Sequence, residues 1–210
     1  MTIWVSGILQ LRSPRRSQLK RSQISHKLQP MTPTIISLSR DSEHNFSKPP
    51  VQQMTLLAGL GIDGDAHAGR TVQHRYDQRT NPAAPNLRQV HLIHAELFEE
   101  LAERGFTVLP GQLGENVTTC GIDLLGLSRG TRLRLGAEAL IEITGLRSPC
   151  KYIDGLAKGL MAAMLDKAPD GSIIRKSGVM AVVITGGAVR VGDAITLASV
   201  PAEFAALGVV

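Results

Sequence analysis

Short runs of β-branched or alternating apolar residues, most of them joined by glycine-containing turns, constrain this fold more than any other feature of the sequence. Residues 34–39 (TIISLS) read as a first strand and residues 90–93 as another. Residues 110–119 (PGQLGENVTT) place two glycines ahead of Glu115 and Asn116 and then turn into a β-branched strand. Residues 131–135 and 138–144 alternate on either side of Gly136-Ala137, which predicts a hairpin. Residues 179–185 are apolar throughout, as expected of a strand buried on both faces, and Gly186-Gly187 predicts a hairpin turn into a strand over 189–197. Only two stretches carry convincing helical spacing. Residues 95–104 place Leu97, Phe98 and Leu101 on one face before Gly105, and residues 154–167 follow Asp154 as N-cap with Leu156, Leu160, Met161, Met164 and Leu165 at helical spacing, the methionines read as core. The expected fold is mostly β, an antiparallel β-barrel with flanking helices rather than a βαβ layered sheet.

The predicted 131–144 hairpin feeds into Thr144-Gly145-Leu146-Arg147-Ser148-Pro149-Cys150-Lys151-Tyr152-Ile153-Asp154. A thiol at a strand-to-helix junction, flanked by Arg147 and Lys151, is placed to ionise readily, and a thiolate attacks, carries sulfur or holds a soft metal. The bland reading, a small buried cysteine, carries equal weight from the local sequence alone. Cys120 has no basic neighbour in sequence before Arg129. Two cysteines make neither a disulfide framework nor a Cys-x-x-Cys metal motif, which suits a reducing, cytoplasmic setting.

A chain of 210 residues accommodates one well-cored domain, or one domain with an appendage, and no apolar run reaches the roughly 18 residues of a membrane helix. The net charge of +5 is misleading about partners. Residues 1–30 hold six basic residues and no acid, which leaves 17 basic and 18 acidic residues in 31–210. The folded part is therefore near neutral, without the net basic charge that often accompanies nucleic-acid binding, and the 3% aromatic content offers few stacking platforms. Residues 1–30, rich in Ser, Arg, Lys and Gln, read as a disordered extension or an over-extended start, with a single domain over 31–210.

Among the loops, residues 41–50 are polar, and Gly59–Arg70 (GLGIDGDAHAGR) lets acid, imidazole and guanidinium groups converge. That stretch is not an EF-hand, since Ala68 and His74 stand where the calcium loop needs Gly and Glu. Residues 71–89 form an excursion around Asn81-Pro82-Ala83-Ala84-Pro85-Asn86. His91 and His94 have no third ligand nearby in sequence, so a structural role is the expectation for both.

Taken in order, GIDGDAHAGR, NLRQVHLI, PGQLGENVTTCGIDLL, GTRLRLG, EITGLRSPC and GGAVRVGD resemble the MOSC family, the domain at the C-terminus of molybdenum cofactor sulfurases. The likeness spans about residues 31–197 and is strongest to stand-alone bacterial members that reduce N-hydroxylated compounds. It implies a β-barrel, a molybdenum–molybdopterin cofactor and one functional cysteine, which falls on Cys150 as both metal ligand and catalytic group. His67, Arg70, Arg88, Glu115, Asn116, Arg147 and Lys151 are the candidates for holding the cofactor, the cations for its phosphate and Asn116 for the pterin ring or, equally, for a turn.

Two enzymatic readings and one non-enzymatic reading follow from the resemblance. The first is an oxidoreductase that removes oxygen from N-hydroxylated bases or similar small molecules. With no cluster-binding cysteines and no dinucleotide fingerprint in this chain, its electrons come from a separate donor protein. The second is a sulfur carrier using a Cys150 persulfide. The chain has no room for a pyridoxal-phosphate desulfurase domain, so the sulfur donor is again separate. The third is a binding module for an anionic metabolite without chemistry.

Overall fold

The computed structural model describes residues 32–210, without the side chains of residues 75–77. The expectation for residues 1–30 lies outside the described residues. In chain order the strands are β1 (Thr34–Ser39), β2 (Pro50–Val51), β3 (Gln53–Leu57), β4 (Gly61–Ile62), β5 (Val90–His94), β6 (Val117–Cys120) and β7 (Arg132–Leu135). They continue as β8 (Ala139–Leu146), β9 (Leu165–Lys167), β10 (Ile173–Arg175), β11 (Val179–Thr185), β12 (Gly187–Arg190) and β13 (Ile195–Ser199). The helices are short: α1 (Arg75–Thr80), α2 (Glu96–Glu103), α3 (Leu160–Ala163) and a 3-10 turn, Lys151–Gly155.

Eight strands form the main sheet in the order β13-β7-β8-β11-β5-β6-β1-β2. Every pairing in it is antiparallel except β5 with β6. The mostly β class is as expected. Closure into a barrel is not drawn by a continuous ladder among the described residues: an isolated bridge, Thr34↔Ala194, and the bonds Ile35 N–H to Asp193 O and Ile195 N–H to Pro33 O link β1 to the start of β13.

Strand period decides what each face does. In β8 the buried residues alternate, and Ala139, Ile141 and Ile143 enter the main core. Val90 and Leu92 of β5, and Val179, Ala181 and Val183 of β11, join the same core. The intervening positions face the other way. Ile93 packs into a second core with Leu97 and Leu101 of α2, Leu160 and Met164, while His91 and Met180, paired across β5 and β11, line a cavity. Each fully buried Leu or Ile contributes about 1.5–3 kcal/mol of transfer free energy, so the two cores hold this sheet firmly beneath the loops.

Two expectations need correction. The 186–187 hairpin does not form, because β12 pairs antiparallel with β3, in a separate sheet ordered β12-β3-β4, instead of turning back on β11. The run 189–197 is also broken, by the turn at Val191-Gly192 that carries the chain from β12 to β13. The single helix expected over 154–167 is replaced by the 3-10 turn, the one-turn α3 and strand β9. Gly159, at φ +88°, interrupts it, and Asp154 caps at a distance by accepting the Met161 N–H at 2.8 Å. The methionines are core as expected, with Met164 fully buried.

Candidate functional site

A cavity of about 1200 Å³ opens on the β5–β11 face, beneath loops from three parts of the chain. That exceeds the roughly 300–1,000 Å³ of ordinary small-molecule pockets. Cys150 reaches it because β8 ends at Leu146 and the backbone is then caught twice. Arg147 N–H donates to Gly178 O at 3.0 Å, and Leu146 is bridged to the C-terminal segment by Leu146 N–H to Gly208 O at 2.7 Å. The 3-10 turn follows immediately, leaving Cys150 extended and partly exposed at its start.

The cavity brings together Cys150, His67, Arg88, Asn116, Arg147 and Lys151 from the sequence-predicted set. Arg70 is exposed and lies outside the lining. Glu115 also lies outside it, fully buried, with one carboxyl oxygen accepting from the Gly111 N–H and the Thr118 hydroxyl. Burial pushes its carboxyl upward, and the residue serves the 110–116 turn. That turn needs its glycine: Gly111 sits at φ +86°, and a Cβ there would stand 2.3 Å from Lys48 O.

Among the described residues the lining carries Lys48, Arg79, Arg88, Arg147 and Lys151, with four histidines and no aspartate or glutamate. The lining is therefore rich in positive charge, with the Lys48 charge offset by Asp65 behind it. Burial lowers the Arg147 guanidinium from its ordinary value, opposed by the Cys150 sulfur, and Nη1 donates to Leu113 O at 3.4 Å. Burial and the nearby Arg147 charge hold His91 neutral, well below the usual imidazole range. Its Nε2–H donates to Ser177 O at 2.7 Å, while Nδ1 turns toward the Gly114 backbone without a satisfactory hydrogen bond. His91 thus lines the cavity as well as bracing it, whereas His94 lies outside the lining.

Lys48 and Asp65 were not singled out from the sequence. Asp65, only 7% exposed, receives Lys48 Nζ at 2.7 Å and Asn116 Nδ2 at 2.9 Å on one oxygen. Its other oxygen accepts the His67 backbone N–H at 2.9 Å and faces His67 Nδ1 at 3.1 Å. Burial alone would raise this carboxyl, but the bonds from His67 and Lys48 outweigh it and hold it well below the usual carboxylate range. Asn116 is fully engaged, since its amide also donates to Ser39 O and accepts the His91 N–H. It braces the floor of the cavity by tying β1, β5 and the 59–70 loop together. The only sequence signal for Asp65 was its place in the glycine-rich 59–70 loop. Lys48 had none, because a lysine in a polar loop ordinarily faces water.

Cys120 sits apart from the cavity, and burial together with Glu96 pushes its thiol upward. Among the described residues no group of three or more His, Cys, Asp or Glu side chains could hold a metal ion, so a metal here would depend on one thiol and further ligands from a cofactor. No helix among them is long and apolar enough to cross a membrane.

A mostly β protein with one thiol in a cation-lined cavity is the class that fold and site define. The MOSC domain pattern matches residues 64–196, well over half the chain, and the chain belongs to the MOSC domain family. Among solved structures it is similar to the YuaD protein of Bacillus subtilis, with 25% identity and a TM-score of 0.65 over 79% of this chain and 94% of that one. It is also similar in fold to YiiM from Geobacillus stearothermophilus, with 19% identity and a TM-score of 0.57 over 80% of this chain and 75% of that one. YiiM from Escherichia coli gives 22% identity and a TM-score of 0.56 over 84% and 74%. No curated protein matches the chain.

Proposed function

We propose that this protein binds a molybdenum–molybdopterin cofactor in the cavity and reduces N-hydroxylated bases or similar small molecules, with Cys150 as the metal ligand. The observation that carries this reading is the Cys150 thiol in a cavity that Arg147, Lys151, Arg88, Arg79 and Lys48 line with no described aspartate or glutamate. The donor set fits the group. A thiolate is a soft ligand, and Arg88, Arg147 and Lys151 suit a phosphate. When bound, the cofactor would supply the two-electron redox chemistry. The protein's part is to fix the sulfur at the end of β8, to hold the anionic end of the ligand and to keep the site free of competing carboxylates. Electrons are taken from a separate donor protein. The bridge between β1 and β13 supports reading the main sheet as the barrel that the resemblance implies.

The test is elemental analysis and mass spectrometry of the full chain made in a molybdenum-replete host, followed by turnover of an N-hydroxylated purine with an artificial electron donor. Wild type should carry molybdenum and turn over. Cys150→Ser should lose both and remain folded, because a hard, weakly acidic hydroxyl replaces a soft, ionisable thiol. One extra sulfur on Cys150 without molybdenum would favour the sulfur-carrier reading. Near-normal turnover by Cys150→Ser would overturn Cys150 as the metal ligand.

A further inference from the structure

The Asp65–His67 pair has a geometry that bracing alone does not need. A buried carboxylate that takes donors on both oxygens, among them Lys48 Nζ at 2.7 Å, is ionised and can only accept. His67 Nδ1, 3.1 Å from Asp65 Oδ1, must therefore carry the ring proton, which leaves Nε2 as the nitrogen that gains and loses one. The residue is pinned at its backbone too, with its N–H on Asp65 and its carbonyl accepting from Asn86 Nδ2 at 2.9 Å. The side chain is 29% exposed and lines the Cys150 cavity, so with Nδ1 turned inward the Nε2 edge is the part available to a ligand. A carboxylate fixing the tautomer of a ring whose far nitrogen faces a substrate space is the arrangement by which proton-transfer histidines are poised.

We propose that His67 is the catalytic proton donor of this cavity and Asp65 its positioning residue. This rests on the reductase reading above and supplies what that chemistry requires. Reduction of an N-hydroxylated compound balances as R–NH–OH + 2 H⁺ + 2 e⁻ → R–NH₂ + H₂O. The N–O bond breaks, the reductant supplies both electrons, and a proton delivered from His67 Nε2 to the departing oxygen lets it leave as water; solvent reprotonates the ring and supplies the second proton. Among the described lining residues there is no aspartate or glutamate to take this part. His91 cannot, because its proton is committed to Ser177 O. The titratable groups facing His67 are Asp65 from its own loop, Lys48 behind Asp65, and His44, whose ring meets that of His67 edge-on with centroids 5.0 Å apart.

Three measurements on the full chain test this. In ¹⁵N NMR of the cofactor-free protein at pH 8, His67 should show the Nδ1–H tautomer and lose that preference in Asp65→Asn; an Nε2–H tautomer in the wild type would overturn the inference. With cofactor loaded and dithionite as reductant, His67→Gln should lower turnover by about 10²–10⁴-fold without a matching loss of molybdenum, and should remove one limb of the pH–rate profile. His67→Ala should regain rate in proportion to added imidazole, which a bracing role would not allow. If wild type turns over and His67→Gln keeps its rate and profile, or if the limb vanishes in His44→Gln instead, His67 is not the donor and the reductase reading stands. If the loaded wild type reduces no N-hydroxylated compound, the reductase reading falls and the donor role with it.

Discussion

Removing the Lys48 ammonium while leaving its shape, as in Lys48→Met, strands the Asp65 carboxylate behind the cavity wall. The two side chains are 4% and 2% exposed, with Nζ 2.7 Å from Oδ2. Breaking a buried pair from one side costs about 3–5 kcal/mol, because the surviving charge keeps its desolvation penalty. Asn116 and His67 still donate to Asp65, which places the expected loss near about 3 kcal/mol, or roughly 6–12 °C in melting temperature for a domain of this size. Asp65→Asn, which strands Lys48 instead, should cost a similar amount, and the double variant clearly less than the sum. The pH dependence has a definite sign. The folded carboxyl of Asp65 lies below its unfolded value of about 3.9, so its contribution is complete above that pH and is lost as pH falls through the lower folded value. The gap between wild type and Asp65→Asn should therefore narrow below about pH 4. Urea unfolding at pH 7 and pH 3.5 measures both effects. Additive costs, or a gap that does not change with pH, would refute the coupling on which the description of this network rests.

Arg147→Glu should sharply reduce the molybdopterin retained by the purified protein, whereas Arg132→Glu should not, since Arg132 lies on β7 paired with Glu142 at 2.8 Å and away from the cavity; equal cofactor contents would count against the cationic lining as the cause. Gly111→Ala should destabilise the fold by about 2 kcal/mol or more, from the left-handed backbone and the approach to Lys48 O, and a calorimetric melting temperature within a degree of wild type would contradict it. Cys120 should alkylate more slowly than Cys150 in the cofactor-free protein, as followed by peptide mass after timed iodoacetamide treatment, because burial and Glu96 disfavour its thiolate; faster labelling of Cys120 would reverse that assignment.

Local pattern alone makes some of this molecule legible in its sequence. The first strand, the 95–104 helix and the β7–β8 hairpin rest on periodicities and turns within a dozen or so residues, and the structure has them with small shifts at the ends. What pattern could not supply was pairing at a distance. Gly186-Gly187 looks like a hairpin turn whether the next strand returns to β11 or crosses to β3, and only the packing of the second sheet decides. Leu156, Leu160 and Met164 have helical spacing, yet Gly155 and Gly159 break the helix into two short turns, which send Ile153 and Leu160 to the same core and leave Leu156 exposed. The site divides in the same way. Cys150 and Arg147 lie close enough in sequence for their chemistry to be read together. Lys48, Asp65 and Asn116 meet only because three loops converge, and each alone is an ordinary loop residue.

The cluster of cations in the cavity wall has a practical side for anyone preparing the protein. At ordinary ionic strength, charges separated by more than about 8 Å are screened in open water, but those buried around Arg147 and Lys48 are screened far less. Sulfate from a precipitation step, phosphate from a buffer, or nucleotides carried over from lysate would all compete for the same lining. Metal content and affinity measured in phosphate would then report the buffer as much as the protein, and exchange into a bulky zwitterionic buffer before any loading step is the condition under which the site's own preference can be read.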